Sequence, residues 1–215
     1  MFREFLRSPL QVGAVAPSSR RLATEVAVPV PESGDPVVVE LGPGTGAFTA
    51  VIQELLGGRG HHLAVEINPR LAASLAARYP RVRVLNAEAS ALPRLLEECG
   101  LGPADVVISG LPWATLPRPV QRTTLDSVRQ ALAPQGAFTT FGYVHATRLA
   151  SARRFRRMLG SSFEEVVPGR TVWGNVPPAF VYHTRRPRPR KASAALNLPA
   201  ARDSSCAAAS TVMRA

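Results

Sequence analysis

The sequence predicts one α/β domain built on an open, mostly parallel sheet. Three observations predict it. Val37-Val38-Val39-Glu40-Leu41 is a short apolar run that suits a strand buried on both faces. Glycine follows at alternate positions, Gly42, Gly44 and Gly46, so the chain turns sharply where side chains would collide with a ligand. Apolar runs and helical patterns then alternate along the chain, the order that joins parallel strands by crossover helices. At 215 residues the chain holds one domain plus tails, with enough length for a sizeable core.

Taken in order, residues 2–10 can form a short amphipathic turn of helix, with Phe2, Phe5 and Leu6 on one face and Arg3 and Arg7 beside it. Such a segment suits an interfacial anchor or a terminal helix packed on the domain. Ser18 or Ser19 can cap a helix from about Arg20, with Leu22, Val26 and Ala27 as its apolar stripe and Pro29 and Pro31 closing it. Lying before the first strand, it is expected to cover the cofactor mouth. Residues 1–31 form this N-terminal unit, 32–186 the domain, and 187–215 a basic tail.

The first strand, its glycine turn and a helix over 48–56 make a nucleotide-binding opening. The spacing is G-x-G-x-G with no G-K-[ST] after it, which disfavours a phosphate-binding P-loop and a standard dinucleotide fingerprint. A second strand over 62–66 ends in Glu66, and Ile67-Asn68-Pro69 opens the next helix with proline in its first turn. An acid here can accept hydrogen bonds from both ribose hydroxyls, or simply be solvated. Strand three covers 82–85. Glu88 follows it and can accept an adenine amino group, with Ala87 and Ala89 leaving room for the ring, or it can cap the helix over 91–98. Leu95, Leu96 and Leu101 read as core.

Strand four, 104–109, ends in Ser109-Gly110-Leu111-Pro112-Trp113. That turn offers backbone carbonyls and an aromatic face. Trp113 can hold an organic cation, an attraction of about 0.5–2 kcal/mol, or it can pack against the next helix. A helix over 118–132 leads through Pro134-Gln135-Gly136 into a fifth strand, 137–143, followed by His145. The helix over 148–159 is basic, with Arg153, Arg154, Arg156 and Arg157 opposite Leu149, Ala152, Phe155 and Leu159. It reads as a lipid or nucleic-acid surface, or as a solvated face. Residues 163–167 and 179–182 suit a final antiparallel pair. The basic, proline-spaced run from Arg185 is expected not to join a sheet.

The formal charge of +11 implies an anionic partner, either nucleic acid or an acidic membrane surface. Cys99 and Cys206 match no disulfide or zinc pattern, which fits a reducing cytoplasm, and no metal is expected. No signal core and no apolar run of membrane-spanning length occur, so any membrane contact is expected to be peripheral.

Glu-x-Gly-x-Gly-x-Gly after an apolar strand resembles motif I of the class I S-adenosylmethionine-dependent methyltransferases. Gly13 to Ala23, Ser109-Gly110-Leu111-Pro112-Trp113, Phe138 to Tyr143 and Val172 to Tyr182 together resemble the bacterial phospholipid N-methyltransferases. The resemblance runs from about Phe5 to Arg185. It implies a Rossmann-like class I methyltransferase domain with a seven-stranded, mostly parallel sheet whose last strand is antiparallel, in agreement with the strand count. It implies methyl transfer from S-adenosylmethionine to the amine of phosphatidylethanolamine and its methylated derivatives, towards phosphatidylcholine. Cofactor contacts are implied at Glu40, Gly42, Gly44, Glu66, Glu88 and Ser109, with Gly46, Ile67 and Ala89 completing the expected set. Such enzymes work at the inner face of the cell membrane, here through the N-terminal helix and the arginine cluster.

The rRNA adenine N6-dimethyltransferases share a similar turn but place Asn-Leu-Pro-aromatic after strand four. Superposition puts Gly110 where that Asn belongs, and glycine offers no side-chain acceptor. Nucleic acid is therefore not the expected partner. Methylating an amine requires it to be neutral and in line with the sulfur–methyl bond. Tyr143 is the first candidate for orienting it, with Trp113 helping to hold the methylated ammonium. His145 is the candidate proton acceptor, and Tyr182 and His183 are weaker candidates.

Overall fold

The computed structural model describes residues 18–189. The amphipathic turn expected over 2–10, residues 13–17 of the selective N-terminal stretch, and residues 190–215 of the tail lie outside the described residues.

Helix α1 (Arg20–Ala27) starts as its sequence requires, with the Ser19 hydroxyl accepting the Leu22 N–H. It buries Leu22, Ala23, Val26 and Ala27 against the sheet and the first crossover helix. None of its residues lines the large cavity described below. Strand β1 (Val37–Leu41) and helix α2 (Ala47–Leu56) flank the glycine turn. Then come β2 (His61–Glu66), α3 (Pro69–Arg78), β3 (Arg83–Asn86), α4 (Leu92–Glu98) and β4 (Ala104–Ser109). The Asn68 side chain caps α3, accepting from the N–H groups of Arg70 and Leu71, with proline in the first turn as the sequence predicts. The remaining elements are α5 (Arg118–Ala131), β5 (Leu132–Tyr143), α6 (Ala150–Ser162), β6 (Phe163–Val172) and β7 (Ala179–Pro187).

The seven strands form one sheet in the order β3-β2-β1-β4-β5-β7-β6. Neighbours from β3 to β5 pair parallel, while β7 runs antiparallel to both β5 and β6. This is the predicted α/β architecture with an antiparallel last strand. Each face carries its own core. Val38, Val106 and Ile108 pack with α1 and α2 on one side. Val39, Leu41, Val107 and Phe138 pack with α4, α5 and α6 on the other. Alternation along each strand produces this split, because successive side chains point to opposite faces.

Three boundaries differ from the sequence expectation. Strand β5 begins at Leu132, before Pro134-Gln135-Gly136, because Leu132 already pairs with Ala104 and a bulge absorbs the proline segment. Strand β6 runs on to Val172, beyond 167, pairing with β7 through a register shift between Pro168 and Thr171. Strand β7 continues past 182 through the basic run to Pro187. Arg186 is accommodated by cross-strand carboxylates, reaching Glu164 at 3.0 Å and Glu165 at 2.5 Å. Arg188 is also tied down, its N–H donating to the Ser162 carbonyl at 2.8 Å and its Nε to the Phe163 carbonyl at 3.0 Å. Residues 187–189 therefore belong to the folded unit and not to the tail.

Candidate active site

A cavity of about 840 Å³ opens at the carboxyl edge of the parallel strands. That is the upper part of the ~300–1,000 Å³ range of small-molecule sites. Its donor-facing wall is built by the ends of β1, β2 and β3. Gly42 and Gly44 line it, and both have positive φ, +66° and +55°. A Cβ on Gly44 would meet nothing within 4 Å, so any side chain there would stand in open space at the cavity. Gly42 is different: a Cβ would lie 2.7 Å from Leu111 Cδ2.

Glu66 faces the glycine turn. It is 5% exposed, and its two oxygens accept the N–H groups of Gly44 at 3.1 Å and Asn68 at 2.9 Å. A carboxylate offers about four acceptor positions, and the backbone N–H groups of Asn68, Gly44 and Ile67 engage up to three of them. Burial raises the Glu66 pKa above 4.5, the backbone hydrogen bonds oppose that, and the Glu40 charge adds to it. Ile67, Glu88 and Ala89 continue the same wall.

Three of the predicted cofactor residues stand behind the cavity surface. Glu40 is fully buried. Its Oε2 accepts the Thr49 hydroxyl at 2.7 Å and lies 3.4 Å from His62 Nε2. Gln53 Nε2 lies 2.9 Å from His62 Nδ1, within hydrogen-bond reach. This network fastens α2 to β1 and β2 directly beneath the turn. Ser109 is also fully buried, its hydroxyl oxygen accepting from Trp113 Nε1 at 3.0 Å and the Leu111 N–H at 3.3 Å. Gly46 opens α2, where a Cβ would strike Arg78 and Leu75.

Across the cavity the wall is aromatic and basic. Phe141 and Tyr143 end β5, His145 follows it, and Phe180 and Tyr182 come from the start of β7. The Tyr143 and His145 rings stack with centroids 5.5 Å apart. Gly142 lies opposite Phe180, whose ring comes within 3.2 Å of where a Cβ would be, so glycine makes room for it. Burial raises the phenol pKa of Tyr143 and of Tyr182, partly opposed at Tyr182 by the Arg156 charge. Both hydroxyls therefore keep their protons at neutral pH. His183 lies on the other side of the sheet and lines none of the cavity.

Trp113 reaches the cavity but is 2% exposed. Its indole stacks on Phe155 at 4.4 Å and meets Phe138 edge-on at 6.0 Å. Of the four clustered arginines, Arg153 and Arg156 line the cavity, whereas Arg154 donates to Gln121 Oε1 at 3.1 Å and Arg157 is exposed. Sequence reading treats the four alike. The i, i+3 spacing of Arg153 and Arg156, which puts both on one helical face, is the signal that separates them. Phe180 and Tyr182 share a strand face at i, i+2 in the same way.

Gly110 also lies at this edge. A Cβ there would sit 2.5 Å from the Gly42 carbonyl oxygen, so no side chain fits. The Asn of an adenine dimethylase cannot occupy this position in this backbone.

A seven-stranded sheet with an antiparallel β7, a glycine turn facing a cavity and an acid ending β2 define a class I S-adenosylmethionine-dependent methyltransferase. Residues 38–136 match the family model described as a methyltransferase domain. The ornithine lipid N-methyltransferase of Singulisphaera acidiphila is 30% identical over 185 residues, 85% of this chain and 92% of that protein. The chain belongs to the bacterial lipid N-methyltransferases, and S-adenosylmethionine is its methyl donor. Among solved structures, the N-methyltransferase NodS of Bradyrhizobium japonicum superposes with a TM-score of 0.59 at 17% identity, over 79% of this chain and 96% of that one. Human methyltransferase-like protein 13, in complex with SAH, gives 0.60 at 16% identity, over 80% and 83%. Both show the shared fold.

Proposed function

We propose that this chain methylates the amine of phosphatidylethanolamine and of its methylated derivatives, towards phosphatidylcholine. The observation that carries this reading is the pairing of Arg153 and Arg156 with Tyr143, Tyr182, Phe141 and Phe180 around one end of the cavity. A headgroup that joins an anionic phosphate to an amine needs both: guanidinium groups for the phosphate and aromatic faces for the ammonium of the methylated intermediates. The donor end suits S-adenosylmethionine. Gly42 and Gly44 admit its close approach, and Glu66 accepts from the ribose on the acceptor capacity that its three backbone N–H groups leave. Glu88 and Ala89 border the adenine, with Ile67 beside them. Glu40, Gly46 and Ser109 act by holding the turn and the β4 end in place.

S-adenosylmethionine supplies a methyl group activated by the sulfonium. The protein's task is to present a neutral amine. Taking lysine's ~10.4 as a proxy, deprotonation at neutral pH costs about 4–5 kcal/mol. An apolar, aromatic wall offsets part of this by disfavouring the charged amine. Tyr143, protonated and half-buried, orients the amine through its hydroxyl, and the exposed His145 stacked on it carries the proton to solvent. Trp113 has a smaller role than a free aromatic cage: its face is stacked on Phe155, so it shapes the wall next to the donor.

The ornithine lipid relative favours a second reading, in which the amine belongs to an ornithine lipid and a carboxylate or amide takes the place of the phosphate. The enzyme itself works from the membrane surface, peripherally, at its inner face. No described helix is long and apolar enough to cross a bilayer. The test supplies methyl-labelled donor with phosphatidylethanolamine, ornithine lipid or rRNA. Label in phosphatidylethanolamine supports the first reading, label in ornithine lipid alone replaces it with the second, and label in rRNA alone refutes both.

A further inference from the structure

The described surface carries an apolar group that neither the core nor the reaction uses. Trp173 is 73% exposed and Val176 72%, both in the connection between β6 and β7. Val167 is 59% exposed and Leu149 49%. Scattered exposed aliphatics need no explanation, but a bare tryptophan three residues from an exposed valine in one short connection does.

The connection is not loose. Asn175, 2% exposed, fastens it from within. Its Oδ1 accepts the Ser19 N–H at 2.9 Å, its Nδ2 donates to the Pro177 carbonyl at 2.7 Å, and its N–H donates to the Val172 carbonyl at 3.2 Å. The Val144 N–H binds the Pro178 carbonyl at 3.0 Å, joining the connection to the segment after β5. Trp173 and Val176 are thus held outward by a buried polar clamp on either side of Asn175. The place matters as well. Pro177 of this connection lines the cavity together with Pro168 and Leu149, so the connection that carries Val176 reaches the cavity wall.

We infer that the β6–β7 connection, with Trp173 and Val176, is a docking surface that inserts into the interface of an anionic bilayer and holds the cavity mouth against the lipid headgroups. The inference rests on the lipid-amine reading above and adds to it the contact that presents the substrate. Charge selects the occupant. Arg153 and Arg156 line the cavity and are exposed, Arg148 and Arg170 are exposed in the adjoining segments, and neither 144–163 nor 166–189 contains an Asp or Glu. Tryptophan favours the headgroup level, where its ring is buried and its N–H stays hydrated. Arginines beside it meet anionic headgroups. The chain before Ser19, with Phe2, Phe5, Leu6, Arg3 and Arg7 in its sequence, also joins the described fold at this clamp.

Tryptophan fluorescence tests this in the intact chain, because the other tryptophan, Trp113, is already buried. Mixed phosphatidylglycerol–phosphatidylethanolamine vesicles should shift the emission to the blue and shield it from acrylamide, and phosphatidylcholine vesicles should do so far less. Trp173→Ala should abolish the shift and weaken cosedimentation about tenfold. Trp173→Phe should restore most of the sedimentation. The ratio of methylation on vesicles to methylation of detergent-dispersed lipid should fall with binding, while affinity for S-adenosylmethionine reports that the variants fold. Emission that is unchanged on vesicles that sediment the protein overturns the inference. So does emission already blue and shielded without vesicles, which would mean that another part of the chain or a second copy covers Trp173. A protein that methylates dispersed lipid but lacks the shift loses only the docking surface. One that shows the shift but methylates no lipid amine loses the substrate reading instead.

Discussion

Adding one methyl group at Gly110 tests the geometry of the site most directly. Gly110→Ala would place a Cβ 2.5 Å from the Gly42 carbonyl oxygen and 3.6 Å from that of Leu41. The obstacle is backbone, so no rotamer change relieves it. The ends of β1 and β4 must separate, straining the Gly110 N–H bond to the Leu41 carbonyl, now 2.8 Å. Overpacking of this kind costs about 1–3 kcal/mol. In a chain of this size each kcal/mol moves the melting temperature by about 2–4 °C, so the variant should melt about 2–12 °C lower. Gly42 lines the donor wall, so S-adenosylmethionine should also bind at least about tenfold more weakly. Differential scanning and titration calorimetry measure the two effects. Gly110→Asn, which supplies the side chain used by adenine dimethylases, should do worse and gain no RNA methylation. A Gly110→Ala protein that melts and binds like wild type would refute the close approach of these strand ends.

Burial raises the Glu66 pKa above 4.5, and in the proposed donor site the ionised form is the better acceptor for the ribose. Affinity for S-adenosylmethionine should therefore rise with pH through that raised pKa, and Glu66→Gln should weaken binding and flatten the profile. Without cofactor the sign is opposite: the folded carboxyl keeps its proton to higher pH than the unfolded one, so its contribution to stability is full below 4.5 and is lost as pH rises through the folded pKa. Tyr143→Phe should reduce turnover by about tenfold to a hundredfold with cofactor affinity unchanged, and unchanged turnover would reduce Tyr143 to packing. Truncation after Pro189 should leave the melting temperature alone, whereas truncation after Arg186 removes the Arg188 bonds to Ser162 and Phe163 and should lower it by about 2–6 °C.

The donor half of the site was legible because its chemistry is local. A strand, three glycines and an acid at the end of the next strand state their roles within thirty residues, and Gly42, Gly44, Glu66, Ile67, Glu88 and Ala89 all line the cavity. What sequence could not show was the depth of each side chain. Glu40 and Ser109 belong to the same motifs yet stand behind the wall, because strand alternation turns Glu40 towards Thr49 and His62. Trp113 was open to two readings, and its stacking on Phe155 is decided by α6, more than thirty residues away. The acceptor half depends on pairing between distant strands, which no local pattern encodes. The basic run from Arg185 reads as unable to join a sheet, but Glu164 and Glu165 on the partner strand both bind Arg186.

The reversed direction of β7 is what completes the acceptor end. In a parallel sheet every strand brings its carboxyl end to the ligand edge. By that rule a parallel β7 would bring Arg185, Arg186 and Pro187 there. Because β7 is antiparallel, Tyr143 at the end of β5 pairs with Ala179 at its start, and Phe180 and Tyr182 arrive beside Gly142 and Thr140. The same reversal sends β6 towards that edge and turns the chain over at 173–178. One change of strand direction thus supplies the aromatic wall that the proposed function assigns to the amine, and it turns the chain over at the exposed Trp173. The arginines of α6 then need no special loop to reach the headgroup, since Arg153 and Arg156 sit on the helical face that overlooks the cavity.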